Sequence, residues 1–170
     1  MAVLINRCVL FHGGNLDDFS YSGVIPKRNR IYGGVGLYLT SNKDVARVRY
    51  AKGNRKLYSV TVDLNEKNDI ARVTLTLAEA VAFIKSYVKV RLRKELSERI
   101  TYYSKKFGGN KIPAYIFYNT MLNEDALSMK NFNTLRMFLV EKGAYYEISG
   151  GNESVTVVFN MNIVKNISRI

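Results

Sequence analysis

The chain has only one cysteine and one histidine among its 170 residues, and these scarcities exclude several classes of protein. A single cysteine cannot form an internal disulfide, and one cysteine with one histidine cannot supply a structural zinc site, so we expect no metal. No apolar run reaches the roughly 18 residues that a membrane-spanning helix needs. The start of the chain lacks the layout of a signal peptide, so we expect a soluble protein in the cytoplasm of the producing cell or of a host cell.

Acidic residues are also scarce. The chain carries 26 Lys and Arg against 14 Asp and Glu, which gives a net charge of +12. Such an excess favours phosphate-rich partners, although it equally suits a highly soluble surface. Because low-complexity tracts, repeats and linkers are absent, we expect residues 1–170 to form a single domain.

The hydrophobic pattern predicts strands early, helices in the middle and strands late. The first strand is apolar enough to be buried on both faces, and the sequences that begin at Ser41 and Thr76 resemble helix capping boxes. Strict alternation of strand and helix is missing, so we predict an α+β fold with antiparallel pairing and hairpins near the end. The predicted strands cover 7–12, 36–41, 56–64, 144–148, 154–159 and 164–170, and the predicted helices cover 41–53, 76–100, 114–122 and 131–142.

Several mechanisms lack their sequence motifs. No Walker phosphate loop is present, and the glycines at 33–36 precede a strand instead of a helix, so they are not a dinucleotide-binding fingerprint. A Ser-His-Asp triad that uses His12 stays open, but no nucleophile-elbow sequence supports it.

The remaining constellation joins His12, two tyrosines and a late glutamate. The matching segments are His12-Gly13, Gly36-Leu37-Tyr38-Leu39, Ala46-Arg47-Val48-Arg49-Tyr50, and Glu153 ahead of Val157-Val158-Phe159-Asn160. This arrangement resembles the ADP-ribosyltransferase superfamily, in its diphtheria-toxin-like His-Tyr-Glu branch, which includes the poly(ADP-ribose) polymerase type of catalytic core. The resemblance implies a split antiparallel sheet with flanking helices. It covers residues 8–62 and 144–165, and the middle of the chain matches no motif.

The resemblance also implies a role for each residue. His12 would bind a ribose hydroxyl of NAD, and the Gly13 backbone would pair with the nicotinamide carboxamide. Tyr38 and Tyr50 would sandwich the nicotinamide ring. Glu153 would be the catalytic carboxylate, acting with His12 and Tyr38 on the oxocarbenium-like state. Each residue also has a structural interpretation: a loop cap for the histidine, a turn for the glycine and core packing for either tyrosine.

The position of the acid departs from the commonest spacing of that branch. In that spacing the glutamate would occupy position 155, where this chain has Val155. A shift of two residues along a strand keeps a side chain on the same face and moves it by about 7 Å. Glu147, on the preceding strand, is the alternative acid. Residues 13–35 would cover the donor, with Arg28 and its basic neighbours near the pyrophosphate or an acceptor; a solvated loop is the alternative interpretation.

These observations predict an NAD-dependent mono-ADP-ribosyltransferase with NAD as donor substrate and no metal. The acceptor would be nucleic acid or an acidic protein surface, with no membrane partner. Size, charge and analogy favour an intracellular effector, such as a toxin of a toxin–antitoxin pair or a phage-encoded modifier of its host. Two alternatives are kept: an NAD glycohydrolase of the same fold, and a catalytically inactive basic nucleic-acid-binding module, which the displaced Glu153 favours.

Overall fold

The computed structural model describes residues 4–16, 36–51, 53, 55–150 and 154–170. Its strands are β1 (Ile5–Gly14), β2 (Leu37–Thr40), β3 (Lys56–Asn65), β4 (Thr74–Thr76), β5 (Lys111–Pro113), β6 (Tyr146–Ser149), β7 (Val155–Val158) and β8 (Val164–Arg169). Its helices are α1 (Lys43–Val45), α2 (Leu77–Tyr87), α3 (Arg93–Ser104), α4 (Ala114–Asn123) and α5 (Met129–Glu141), and a π-helical turn (Ala46–Tyr50) follows α1. The predicted α+β class is therefore confirmed.

The main sheet is nearly divided in two between β1 and β2. Six strands pair antiparallel in the order β6-β7-β2-β1-β3-β8, while β4 and β5 form a separate ribbon. β1 pairs with β3 along its whole length, from Ile5 opposite Asn65 to Gly14 opposite Lys56. Within the described residues, β1 meets β2 at one pair only, Phe11 opposite Thr40. The sheet thus consists of two three-stranded halves, β6-β7-β2 and β1-β3-β8, and we call the junction between them the split.

The burial of β3, which pairs with β1, follows the alternation of its sequence. In β3 the residues Tyr58, Val60, Val62 and Leu64 are buried and their neighbours are not, because successive side chains point to opposite faces. The prediction that the first strand is buried on both faces is wrong. Val9 is 54% exposed beside the buried Leu10, so β1 has one covered face, and it continues through Gly14 instead of ending at residue 12.

Two hydrophobic clusters stabilise the fold. The larger one joins the helices between β3 and β6 to one face of the sheet, where Val157 and Phe159 pack against it. The smaller one draws on both halves of the sheet, with Leu10 and Val60 from one half and Val158 from the other. The two faces of the β6-β7-β2 half therefore belong to different cores.

The long helix predicted over 76–100 is wrong, because the chain breaks it into α2 and α3. Val88 ends α2 in an extended conformation. The N–H of Lys89 donates to the Ala126 carbonyl at 2.9 Å, and Arg93 Nε donates to the Val88 carbonyl at 2.8 Å. Backbone groups that a continuous helix would pair internally are thus satisfied by tertiary partners, so the break costs little. The apolar positions of the predicted helix nevertheless face the core, since Ile84, Val88, Leu96 and Ile100 are all buried.

Other predicted elements are confirmed with small shifts of their ends. Thr76 and Glu79 form the expected capping box of α2, and α4 begins directly after Pro113. α5 is followed by Gly143, whose φ of 88° is left-handed. The late hairpin joins β6 and β7, whereas β8 crosses to pair with β3, which the sequence did not predict.

Candidate functional site

His12 lies on β1 at the split and is held by the neighbouring strand. Its Nδ1 is 2.7 Å from the carbonyl oxygen of Tyr38 in β2. Since a carbonyl only accepts hydrogen bonds, Nδ1 carries the proton and donates it, which leaves Nε2 as an acceptor in the neutral ring. Burial lowers the pKa of His12 below its usual 6.5, and the bond to the Tyr38 carbonyl opposes this shift only in part. The imidazole is therefore neutral near pH 7, with its acceptor nitrogen defined.

Gly14 leaves the space that the His12 ring occupies. A Cβ placed on Gly14 would lie 2.7 Å from Nε2 of His12, because residues i and i+2 of a strand share a face. Any larger residue at this position would push the ring away. Sequence reasoning missed this role, although the His-Gly-Gly run contained the signal.

Gly13 is in direct contact with the helical turn that carries Tyr50. A Cβ on Gly13 would collide with the Ala46 carbonyl oxygen and would lie 2.7 Å from both the Tyr50 Cβ and the Ala51 nitrogen. Only glycine permits this approach, so the residue does more than form a turn. Tyr50 is thereby fixed above the end of β1.

The position of Tyr50 depends on an unusual helical turn. Asn42, not the predicted Ser41, caps the helix: its Oδ1 accepts hydrogen bonds from the N–H groups of Asp44 at 2.9 Å and Val45 at 3.1 Å. The helix then widens, because the N–H of Ala51 bonds to the carbonyl of Ala46, five residues earlier, at 3.0 Å. Such π-type turns occur mostly as single insertions and frequently at functional sites.

Tyr38 and Glu147 share one face of the sheet. Tyr38 lies opposite Val157 in β7, and Val157 lies opposite Glu147 in β6, so the three side chains form a row across the strands. With strands about 4.8 Å apart, the Cα atoms of Tyr38 and Glu147 are separated by about 10 Å. The half-buried Tyr38 side chain packs against the larger core.

A buried tyrosine of α4 lies beside this row. Burial raises the pKa of Tyr118 well above 10, and the neighbouring Tyr38 and Glu147 raise it further. Burial also raises the pKa of the Glu147 carboxyl, with a smaller contribution from the charge of Asp69. Sequence reasoning did not find Tyr118, because nothing in the apolar pattern of α4 distinguishes it from the other core residues.

Two predicted site residues, Glu153 and Arg28, lie outside the described residues, as do the other basic residues predicted near Arg28. Val155 is described: it pairs with Thr40 and with Ser149, two residues along the strand from the Tyr38–Val157 pair. It therefore shares the face of Tyr38. A residue at position 155 borders the row that contains Glu147.

The structure thus brings four of the predicted residues together from three segments. His12 is linked to Tyr38 by a hydrogen bond, and Gly13 contacts Tyr50. Across the described ranges, no three His, Cys, Asp or Glu side chains are grouped to hold a metal ion. No helix in that part of the chain has both the length and the apolar character needed to cross a bilayer. Comparisons with protein-family models, curated proteins and solved structures found no significant match.

The contact at Gly13 predicts a large loss of stability on substitution. We expect Gly13→Ala to lower the free energy of unfolding by about 2 kcal/mol or more, because the obstructing Ala46 carbonyl is backbone and cannot rotate away. Gly150→Ala is the matched control, since no atom of the described chain lies within 4 Å of the Cβ it would add. Urea denaturation followed by circular dichroism measures both variants. Equal stability of the two variants would show that the 46–50 turn does not pack on Gly13.

The environment of His12 predicts that the free energy of unfolding decreases as the pH falls. Because the folded-state pKa is below the unfolded value of about 6.5, the unfolded chain takes up the proton first as the pH falls. The free energy of unfolding should therefore decrease below about pH 6.5 in the wild type, and less in His12→Gln. NMR of the ¹⁵N-labelled protein gives the pKa directly, since all imidazole signals come from His12. A pKa above 6.5, or a proton on Nε2 in the neutral ring, would contradict the assignment.

Proposed function

We propose that the protein is an NAD-dependent mono-ADP-ribosyltransferase that cleaves the nicotinamide–ribose bond and transfers ADP-ribose to a macromolecular acceptor. The observation that carries the proposal is the meeting of His12, Gly13, Tyr38 and Tyr50 at the split. They come from separate segments of the chain and are the residues that the family resemblance relates to NAD.

The architecture of the sheet supports the proposal. A split antiparallel sheet is what the resemblance implies, and the pairing of β1 with β2 at a single described position fits that expectation. Since β2 does not continue its ladder beyond Phe11, the edge of β1 at Gly13 is not occupied by strand pairing with β2. In the proposal the carboxamide of nicotinamide pairs with the main-chain groups of Gly13, since it has both a hydrogen-bond donor and an acceptor.

The state of His12 also suits NAD. An acceptor nitrogen complements the O–H of a ribose hydroxyl. The lowered pKa keeps the ring neutral, which avoids repulsion with the cationic pyridinium of NAD. In the proposal Tyr38 and Tyr50, which adjoin His12 and Gly13, bind the nicotinamide ring by stacking, which contributes about 0.5–1.5 kcal/mol for each aromatic pair.

The chemical step requires a carboxylate. As the bond to nicotinamide breaks, its electrons leave with the nicotinamide, which becomes neutral, and positive charge develops on the ribose. A carboxylate beside the 2′-hydroxyl stabilises that charge. We assign this role to Glu153. Glu147 is the alternative, because it shares the face of Tyr38, but its raised pKa reduces the fraction that is ionised.

Release of nicotinamide from NAD tests the proposal. We expect the wild type to release nicotinamide and Glu153→Gln to lose at least about 100-fold in kcat, since an amide cannot supply the negative charge. Glu147→Gln should retain most of the activity. Glu141→Gln, a change on the exposed surface of α5, is the control for charge alone. Chromatography of the products and labelled NAD with separate RNA, DNA and protein pools distinguish transfer from hydrolysis.

Three results would decide against parts of this account. No nicotinamide release by the folded wild type with any acceptor pool would contradict the proposed activity. Loss of activity in Glu147→Gln alone would move the catalytic role to β6. Release without labelling of any acceptor would identify an NAD glycohydrolase.

A further inference from the structure

One positively charged part of the protein runs from α2 to the end of α4. Residues 80–123 contain nine Lys or Arg and two acids, so this quarter of the chain carries +7 of the net +12. Residues 99–123 contain no acid at all. The residues assigned to the split do not include these cations.

Several of these cations follow an exposed aromatic ring along the chain. Tyr102 near the end of α3 is 60% exposed, although a tyrosine usually buries most of its ring. Lys105 and Lys106 follow it by three and four residues, which places them beside Tyr102 on one side of the helical chain. Lys111 lies across the next turn on β5, and it is exposed as well. We call these four residues the tyrosine–lysine patch.

The acids near the patch are largely neutralised by other cations. Arg99 binds both Glu95 and Glu124, and Lys142 binds Glu79 at 2.7 Å. Within the part of the chain that the structure describes, the three lysines of the patch form no ion pair. Glu98, one turn before Tyr102, is the acid that borders the patch.

The turn that carries the lysines is held in place. Gly108 and Gly109 adopt φ values of 95° and 87°, which favour glycine. The N–H of Gly109 donates to the Ser104 carbonyl at 2.8 Å, and the Asn110 carbonyl accepts from the N–H of Leu77 in α2 at 2.8 Å. The patch is therefore presented on a fixed backbone, which lowers the entropy cost of binding.

We propose that the tyrosine–lysine patch binds single-stranded nucleic acid. Lysine ammonium groups bind successive phosphates, and an exposed aromatic ring stacks on an unpaired base. A duplex hides its base faces, so the exposed ring of Tyr102 favours a single strand. The inference does not require the split to bind NAD, and it can fail or hold independently of the proposed enzyme activity.

Fluorescence anisotropy with labelled oligo(U) and oligo(dT) of about 12 nucleotides tests the inference on the full chain. We expect Tyr102→Ala, which changes no charge, to weaken binding about tenfold. Lys105→Gln with Lys106→Gln should also weaken binding and should flatten the slope of log affinity against log salt by about 1.4. Glu98→Gln should tighten binding, because it removes the bordering acid.

The matched control removes the same charge at the other end of α2. Lys85 lies about 12 Å along α2 from Leu77. Lys130 lies in the first turn of α5, next to Asn131, whose Nδ2 donates to the Tyr87 carbonyl. Lys85→Gln with Lys130→Gln should therefore leave most of the affinity intact. Equal losses in both lysine pairs, full affinity of Tyr102→Ala, or equal affinity for a duplex of the same length would overturn the proposal. Lowered stability with unchanged affinity in the Lys105→Gln, Lys106→Gln variant would also overturn the proposal. The two lysines would then act only on the partial negative charge at the C-terminal end of α3.

Discussion

The contact between Gly13 and the turn that carries Tyr50 is the constraint on which the arrangement of the site depends. It requires a residue without a side chain on β1, and it requires the helix to widen so that Ala51 bonds Ala46. Because this turn lies against the end of β1, Tyr50 is held beside the split. The split itself exists because β1 stops pairing with β2 after Phe11. A gap in strand pairing and a close backbone approach together bring His12, Gly13 and Tyr50 to the split, where we propose that NAD binds.

The neutral state of His12 contrasts with the strong net charge of the protein. The protein is strongly basic, yet His12 is kept neutral by burial and fixed in one tautomer by the Tyr38 carbonyl. Cations are present both in α2–α4 and in the turn beside the split, where Arg47 and Arg49 precede Tyr50. A donor that contains a pyridinium benefits from a neutral His12, whereas a polyanion benefits from the lysines of the tyrosine–lysine patch. Under the two proposals, NAD binds at the split and single-stranded nucleic acid binds at the patch.

Much of this could be predicted from the sequence, and the parts that could not have identifiable causes. Apolar and polar residues alternate in Lys56–Asn65, and Thr76 begins a capping box. Both are local patterns, so β3 and the start of α2 were predictable. The break between α2 and α3 at Val88 could not be predicted, because it depends on the distant Ala126 carbonyl. The pairing of β8 with β3 also depends on residues far apart in sequence and could not be predicted. At the site, the motif identified His12, Gly13, Tyr38 and Tyr50, but their proximity depends on pairing between strands far apart in sequence. The sequence could not distinguish Asn42 from Ser41 as the cap, because either residue type can accept the bonds.

The central claim is that the split binds NAD, and the imidazole of His12 is the most direct probe of it. Since the chain has one histidine, its ¹⁵N signals can be followed without ambiguity while NAD is added. The account predicts a saturable shift of the Nε2 signal at or below about 1 mM NAD, with Nδ1 still protonated and bonded to the Tyr38 carbonyl. Unchanged imidazole signals in the folded protein at that concentration would contradict it.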